Sequence, residues 1–455
     1  MWTALAVLLF SFTSNQCSRQ LIYYLCNFSP TTSSPFLHIN IDLAFSQEQY
    51  GLLASVGFTT LFALTSLFAG SFSDSFSRKK IILFSSLGWS FITILQSFSY
   101  DYTSFLVLRS FLAIVQAFFT PAAYTLLSDI FPKKLVGTAN GVLGGGVYIG
   151  GGLASLSILL DSQIGWRSTF VSVGVAGVLI SAFLFFFVNE PRVKNTPKIE
   201  QKMAEEDDFS VKMPLSISSS SSSSVVNFSS QLSSYTDAVK EVLESPGART
   251  LLLASALRFA AGFTLAIWKA PFVFSKFPGS EALFASSNAA VVAVGGLASS
   301  LLGGYLSDLI QKTQKEGSKA RVWVAAIGSL AAAPLWAGFI LAETPSLAVA
   351  YLFAEYIAAE CWIGPTLAGL YDVIPTSRRG TAQGMFSFLT AIGNVAPLLV
   401  GFLVGGSNGG GAGEGVALGN VLIGTISGSY FISGLLFLWF IYLKPGVFGT
   451  GPDRG

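Results

Sequence analysis

The chain has 455 residues, of which 52% are apolar and only 11% charged, with 40 Phe and 46 Gly. Soluble domains carry roughly 25% charged residues, so these proportions exclude an ordinary soluble globule, and equally disorder or a collagen-like repeat. A net charge of +2, from 26 basic and 24 acidic residues, gives no basic face for nucleic acid. Cys17, Cys26 and Cys361 show no paired spacing, so neither a disulfide framework nor a zinc site is indicated. His38 is the only histidine, which excludes HExxH metallosites and Ser-His or Cys-His nucleophile pairs. No enzymatic activity, metal or cofactor is expected, and His38 itself reads as a solvent-exposed loop residue.

Apolar stretches of about 19 to 26 residues, each close to the roughly 20 that a bilayer-spanning helix needs, follow one another along the chain. They fall at about 2–25, 50–71, 81–99, 103–127, 137–160, 167–188, 249–274, 282–306, 321–342, 346–370, 380–405 and 419–443, twelve in all. The first has no basic n-region and passes into Ser14, Asn15, Gln16 and Arg19, so a true span is expected rather than a secretory signal. Pro121 in span four and Gly364-Pro365 in span ten are placed to kink those helices near the cytoplasmic side. Gly144–Gly146 and Gly150–Gly152 in span five, with Gly295, Gly296, Gly303 and Gly304 in span eight, allow close helix crossing, either at a moving interface or as ordinary packing. Gly405–Gly415 reads as a flexible outer loop.

Twenty of the 26 lysines and arginines lie in even-numbered loops and the carboxyl tail, among them Lys133, Lys134, Arg321, Arg378 and Arg379. The odd-numbered loops hold only Arg167 and Lys276. Basic residues mark the cytoplasmic side, which predicts a multi-pass membrane protein with both termini cytoplasmic. Residues 189–248 separate six spans from six, giving an amino-terminal bundle (1–188), a cytoplasmic linker, a carboxyl-terminal bundle (249–443) and a tail (444–455). The linker begins with Glu205, Glu206, Asp207 and Asp208, runs through seven serines from Ser218 to Ser224, and recovers a helical pattern at Val239, Val242 and Leu243. A solvated tether ending in a short amphipathic helix is expected, with serine phosphorylation as the alternative. Of two N-x-S sequons, Asn27-Phe28-Ser29 falls outside and Asn227-Phe228-Ser229 inside; only the first is open to glycosylation, with Pro30 against it.

The halves repeat. Residues 128–141, SDIFPKKLVGTANG, align with residues 371–384, YDVIPTSRRGTAQG, at six identical positions of fourteen. Gly70-x-x-x-Asp74 likewise recurs as Gly304-x-x-x-Asp308. The segment Gly70-Ser71-Phe72-Ser73-Asp74-Ser75-Phe76-Ser77-Arg78-Lys79-Lys80 resembles the signature loop of the major facilitator superfamily: a Gly, an Asp four residues on, and then a basic cluster. Arg109, Gly165-Trp166-Arg167 and Asn189-Glu190-Pro191-Arg192 are further matching pieces. The resemblance implies an all-α integral membrane protein with twelve transmembrane helices in two pseudo-repeated six-helix bundles. It also implies a cytoplasmic latch made by Gly70, Asp74, Arg78, Lys79, Lys80, Gly304 and Asp308. Helix electrostatics fit this: Asp74 would meet the positive end of span eleven near Ser377 or Thr381, and Asp308 that of span five at Gly137. Ser75 stands where the family usually places a basic residue.

Asn15-x-x-Ser18-Arg19, with Arg109 and Gln116, is similar to a Spinster-like or organic-anion branch pattern, N-x-x-D-R followed by R-x-x-x-G-x-G-E. Ser18 and Gln116 replace its carboxylates, so proton coupling through the amino-terminal half is not carried over. Six ionisable side chains lie within the spans, Arg19, Arg109, Arg258, Lys269, Glu355 and Glu360, on spans one, four, seven and ten. Each costs about 2.5–3.5 kcal/mol at the bilayer centre, so all must face water, ligand or one another. In the superfamily these four helices line the central cavity, and four cations against two anions favour an anionic solute. Asn15, Arg19, Arg109, Gln116, Arg258 and Lys269 are the expected substrate-binding residues, and Glu355 and Glu360 the proton-coupling candidates. In the alternative, the six form gating ion pairs and the substrate contacts are apolar. The expected function is secondary active transport of a small organic anion or anionic amphiphile by alternating access. The alternatives are a lysolipid- or sphingolipid-type Spinster-like carrier and a non-transporting receptor. The expected partners are the solute, the lipid bilayer and a coupling proton or sodium ion, and the chain is expected to be a monomer.

Overall fold

The computed structural model describes residues 1–29, 36–188, 236–313, 320–375, 378–405 and 412–443. The side-chain surroundings of Leu67, Gly70, Ser71, Ser73, Asp74, Ser75, Lys133, Lys312 and Thr313, and of residues 412–414, fall outside that description. The Asp74 end of the latch, its expected cap Ser377, the serine run, the second sequon, the 189–192 motif and the 444–455 tail therefore lie outside the described residues.

The described residues are helical, without strands. In chain order the helices are α1 (Trp2–Tyr24), α2 (Ile39–Asp42), α3 (Gln47–Ala54), α4 (Val56–Ser75), α5 (Arg78–Gln96), α6 (Tyr102–Ala117), α7 (Phe119–Ile130), α8 (Lys133–Gly144) and α9 (Gly146–Phe187). After the linker come α10 (Pro246–Lys276), α11 (Glu281–Ala290), α12 (Leu297–Thr313), α13 (Val322–Leu341), α14 (Pro345–Ala359), α15 (Ile363–Asp372), α16 (Arg379–Gly393), α17 (Val395–Gly405), α18 (Ala412–Leu422) and α19 (Gly428–Tyr442). Eight helical stretches among the described residues are long and apolar enough to cross a membrane.

Local chemistry sets the boundaries. Ser46 and Gln49 close a capping box on α3, Asp101 and Ser104 another on α6, each satisfying two otherwise orphaned N–H groups. Ser245 and Thr344 cap α10 and α14 ahead of Pro246 and Pro345, a residue that loses nothing at the first helical position. Inside a helix proline clashes with the carbonyl four residues back. The α6/α7 break at Phe118 precedes Pro121, and the α14/α15 break at Glu360–Trp362 precedes Pro365. Gly165 has φ 77° and ψ 161°, a conformation open to glycine and strained for side chains, so α9 is two rods joined at a corner on which Phe36 packs.

Asp101 yields a testable pH dependence. Its carboxylate accepts the Ser104 N–H at 2.8 Å, and the Ser104 hydroxyl and N–H hold its pKa below the ordinary Asp value. A depressed carboxylate contributes stability above its unfolded pKa and loses it as pH falls through the folded one. The Asp101→Ala protein in detergent is expected to melt slightly below wild type at neutral pH and level with it in acid below the carboxylate range. Equal melting at both would remove the cap's role.

Packing divides unevenly. One continuous core takes residues from both sides of the linker, including Leu21, Tyr50, Phe105, Trp166, Trp268, Phe284 and Trp336. Towards the opposite end lie two separate cores: one built from α1 and α4–α9 around Trp89 and Phe119, the other from α10, α13, α16 and α19 around Leu251 and Phe386. Polar contacts follow the same division: across the linker, Tyr50 donates to the Ile267 carbonyl (2.7 Å) and Ser155 to that of Ala285 (3.0 Å). The amino- and carboxyl-terminal helices are thus sealed against each other at one end and packed separately at the other.

Three expectations need correction. His38 is half-buried rather than exposed: Nδ1 lies 3.5 Å from Asp161 Oδ2, because the 36–45 segment folds onto the corner of α9. Asn27 is buried; its amide oxygen accepts the Ser29 N–H and its backbone is doubly bonded to the Asn40 side chain, each at 2.9 Å. The helix at 236–244 buries Ala238 and Val242 but leaves Leu243 outside, since residues four apart share a helix face and the next residue lies about 100° round from it.

Candidate functional site

The amino-terminal part of the site is built where α3 stops. Ser55 (φ −115°, ψ −96°) breaks the rod between α3 and α4, so the carbonyls before it lack helical partners. Arg109 on α6, 0% exposed, donates Nε to the Leu53 carbonyl (2.9 Å) and Nη2 to the Arg19 carbonyl (2.9 Å). It thereby ties α1, α3 and α6 together. The guanidinium carbons of Arg19 and Arg109 lie 4.5 and 5.3 Å from the centre of one ring, Phe58, and Arg19 also covers Phe62 at 5.3 Å. No carboxylate of the described residues is within ion-pair distance of either arginine. One turn away on α1, Gln116 Nε2 donates to the Asn15 carbonyl and to Ser18 Oγ, both at 3.1 Å. Arg109 Nη1, Asn15 Nδ2 and Gln116 Oε1 are buried without a partner.

Across the molecule, tyrosines organise the charges. Arg258 on α10 donates to the Ala359 carbonyl (2.6 Å), which the break before Pro365 frees, and lies against Tyr430 (4.3 Å) and Trp362 (5.3 Å). Tyr430 donates its hydroxyl to Glu355 Oε1 at 2.7 Å. Lys269 donates to the Tyr356 hydroxyl (2.8 Å) and lies 5.8 Å from the ring of Tyr24 on α1. Glu360 accepts from the Tyr148 hydroxyl at 3.1 Å, a contact between α9 and the α14/α15 break. Arg258 Nε and Nη1 and Glu355 Oε2 remain buried and unpartnered. None of the six charges forms an ion pair with another; aromatic faces, carbonyls and phenols hold them apart instead. Of the two carboxylates, Glu355 turns to α19 and Glu360 to the amino-terminal helices.

Sequence reading missed the aromatic half of this arrangement: Phe58, Tyr148, Tyr356 and Tyr430. The available signal was tyrosine within apolar stretches, since a buried phenol needs a hydrogen-bond partner.

Of the latch residues, Arg78, Lys79, Lys80, Gly304 and Asp308 have described surroundings. Arg78 is buried and bonded to Asp129 and the Thr125 carbonyl, within the amino-terminal helices, and Lys79 donates to the Phe185 carbonyl at 2.8 Å. Lys80 is exposed at the start of α5. Gly304 has open space where a Cβ would stand, and Asp308, 67% exposed, faces Arg321 at 3.9 Å on its own side of the molecule. Glu241, from the 236–244 helix, pairs with Arg378 at 2.7 Å and docks the linker's end on the start of α16.

A profile of the Major Facilitator Superfamily matches residues 20–397. The chain belongs to the major facilitator superfamily. It is a membrane transporter of that superfamily, and its relatives include carriers of organic anions. It is 23% identical over 402 residues to a probable sulfoacetate transporter of Cupriavidus necator, covering 85% of each chain. It is 24% identical over 418 residues to a cis,cis-muconate transport protein of Acinetobacter baylyi, covering 89% of this chain and 88% of that one. Among solved structures, the inward-facing, unoccupied bacterial homologue of the human lysosomal transporter Spinster shares the fold. Its TM-score is 0.70 at 21% identity, over 98% of this chain and 97% of that one.

Proposed function

We propose that this superfamily member is a secondary transporter with twelve spans in two six-helix bundles, and that it moves a small organic anion by alternating access. On this reading, α3/α4, α6/α7, α14/α15 and the other broken helices each make one span, and the two rods of α9 complete two. The observation that carries it is the pair of guanidiniums on Phe58, two cations with no carboxylate partner among the described residues. Like charges so placed favour an anion between them, and a guanidinium fork suits carboxylate or sulfonate geometry. The names of the Cupriavidus and Acinetobacter relatives support the same solute class. The sealed end bears the loops poor in Lys and Arg, so this conformation reads as inward-facing with both termini cytoplasmic. Glu355 and Glu360 are the carboxylates available to carry a coupling proton.

Counterflow tests the reading. Proteoliposomes preloaded with unlabelled organic anion are expected to accumulate the labelled species transiently, since only a carrier exchanges one for the other. Under an imposed pH gradient the Glu355→Gln or Glu360→Gln protein should lose the gradient's effect while retaining exchange. Absence of counterflow with every organic anion tried would reject the assignment; gradient sensitivity unchanged in both variants would reject the coupling role.

A further inference from the structure

The connection between α1 and α3 carries the one histidine of the chain, His38, and the solute site does not use it. Residues 36–45 are held on the corner of α9 by three side chains of different kinds. Phe36 packs on Gly165. Asp42 accepts from Trp166 Nε1 (2.9 Å) and from Arg167 Nε (3.2 Å) and Nη2 (3.0 Å), while Nη1 of the same guanidinium donates to the Ser97 and Ser99 carbonyls (2.6 and 2.8 Å). His38 Nδ1 lies 3.5 Å from Asp161 Oδ2. The first two contacts are indifferent to pH near neutrality, because a phenyl ring has no proton to exchange and an aspartate–arginine pair stays ionised. The third is not, since an imidazole gains or loses its charge between about pH 5 and 8.

Asp161 depends on that charge. It is 6% exposed, and its other oxygen, Oδ1, is buried without a partner. Among the described residues no basic side chain except His38 is within ion-pair distance of it. A buried carboxylate is costly unless a countercharge or hydrogen bonds meet it. At 3.5 Å a neutral imidazole supplies only a long N–H contact, whereas an imidazolium supplies the countercharge. The other titratable and charged groups around the pair do not replace it. Asp42 is acidic and Arg167 is engaged by it; Asp101, beyond Ser99, is spent on Ser104. The buried Cys26 thiol past the end of α1 lies in the field of Asp161 and carries no positive charge in either form.

We propose that His38 and Asp161 form a proton-operated fastener, in which the imidazolium docks the 36–45 segment on α9 and the neutral imidazole lets it loosen. Proton binding and docking favour each other, so docking is tightest in acid below the histidine range and weakens as pH rises through that range. The segment leads directly into α3, whose Tyr50 bonds the Ile267 carbonyl beyond the linker, and its Ile39, Leu43 and Phe45 belong to the core that takes residues from both sides. The fastener therefore acts on the amino-terminal rim of the sealed end.

Hydrogen–deuterium exchange on the purified full chain in detergent tests this. The Ile41 and Asp42 amides donate to the His38 carbonyl (3.0 and 2.9 Å) and the Leu43 amide to that of Ile39 (3.0 Å), so their exchange reports the docked segment. After correction for the intrinsic effect of pH, their protection is expected to be about 3- to 10-fold greater at about pH 5.5 than at about pH 8, the worth of one partly buried pair. The Phe105 amide, bonded to the Asp101 carbonyl at 3.3 Å in a cap whose carboxylate is held below the ordinary Asp value, should show no such ratio. His38→Gln and Asp161→Asn should each abolish the ratio at the segment. Equal protection of the wild-type segment at both pH values, greater protection at the higher one, or a ratio that survives in either variant would overturn the inference.

Discussion

The Arg19→Gln protein is expected to fold as wild type does and to lose most of its organic-anion exchange, whereas Arg109→Gln should lose both exchange and stability. The two arginines share a ring but not a structural role. The Arg19 side chain rests on the faces of Phe58 and Phe62, and only its backbone carbonyl is used by a neighbour. Losing contacts of that kind costs about 0.5–2 kcal/mol. Arg109 holds two carbonyls on two other helices from a fully buried position, and truncating a buried charged donor leaves those acceptors unmet, at about 1.5–3 kcal/mol for each bond to a charged group. For transport, a charge-assisted bond to the solute of about 1.5–3 kcal/mol corresponds to roughly 10- to 150-fold in affinity. Counterflow at subsaturating solute, read with the melting temperature of each variant, separates the effects. Arg109→Lys should restore charge but not exchange, because a point charge cannot reach both carbonyls and a carboxylate. Unchanged exchange of every organic anion by Arg19→Gln would remove the arginine pair from the substrate site.

The parts of this arrangement that were legible in the sequence were those with a large cost or a fixed period. A charge in an apolar stretch is expensive wherever it sits, so Arg19, Arg109, Arg258, Lys269, Glu355 and Glu360 stood out with no knowledge of their partners. Proline's missing N–H likewise announced the breaks before Pro121 and Pro365. Phe58 was hidden among 40 phenylalanines, because nothing local separates a ring that carries two guanidiniums from one that faces lipid. The Tyr148–Glu360 bond joins residues 212 apart, and no spacing rule reaches that far. The π-helical turns at Val291–Gly296 and Ile423–Ser427 have no residue signature; they arise where a rod shifts register against its neighbours. His38 was misread for a related reason: a polar connection looks solvated in sequence, and only the fold brings Asp161 beneath it.

The second large effect concerns the seam between α9 and the α11 region, where Gly150 and Gly152 divide their duties. A Cβ on Gly150 would stand 2.6 Å from Gln16 Cβ and from the Thr13 carbonyl oxygen, both on α1. A Cβ on Gly152 would stand 2.8 Å from the Ala289 carbonyl oxygen and 3.0 Å from Ala293 Cβ, both beyond the linker. Bulk at Gly150 therefore strains one set of helices internally, whereas bulk at Gly152 pushes the two sets apart. Overpacking costs about 1–3 kcal/mol, and any conformation that opens this seam escapes it. Gly152→Val should accordingly shift the balance towards the outward-open form by roughly 5- to 150-fold, with little loss of melting temperature. Gly150→Val should lower the melting temperature without that shift. Spin labels placed across the sealed end, in the 36–45 and 277–280 segments, would report the change as a longer distance population in the Gly152 variant alone. Equal distances in wild type and both variants would mean that the seam is static packing, and would remove this contact from any alternating-access cycle.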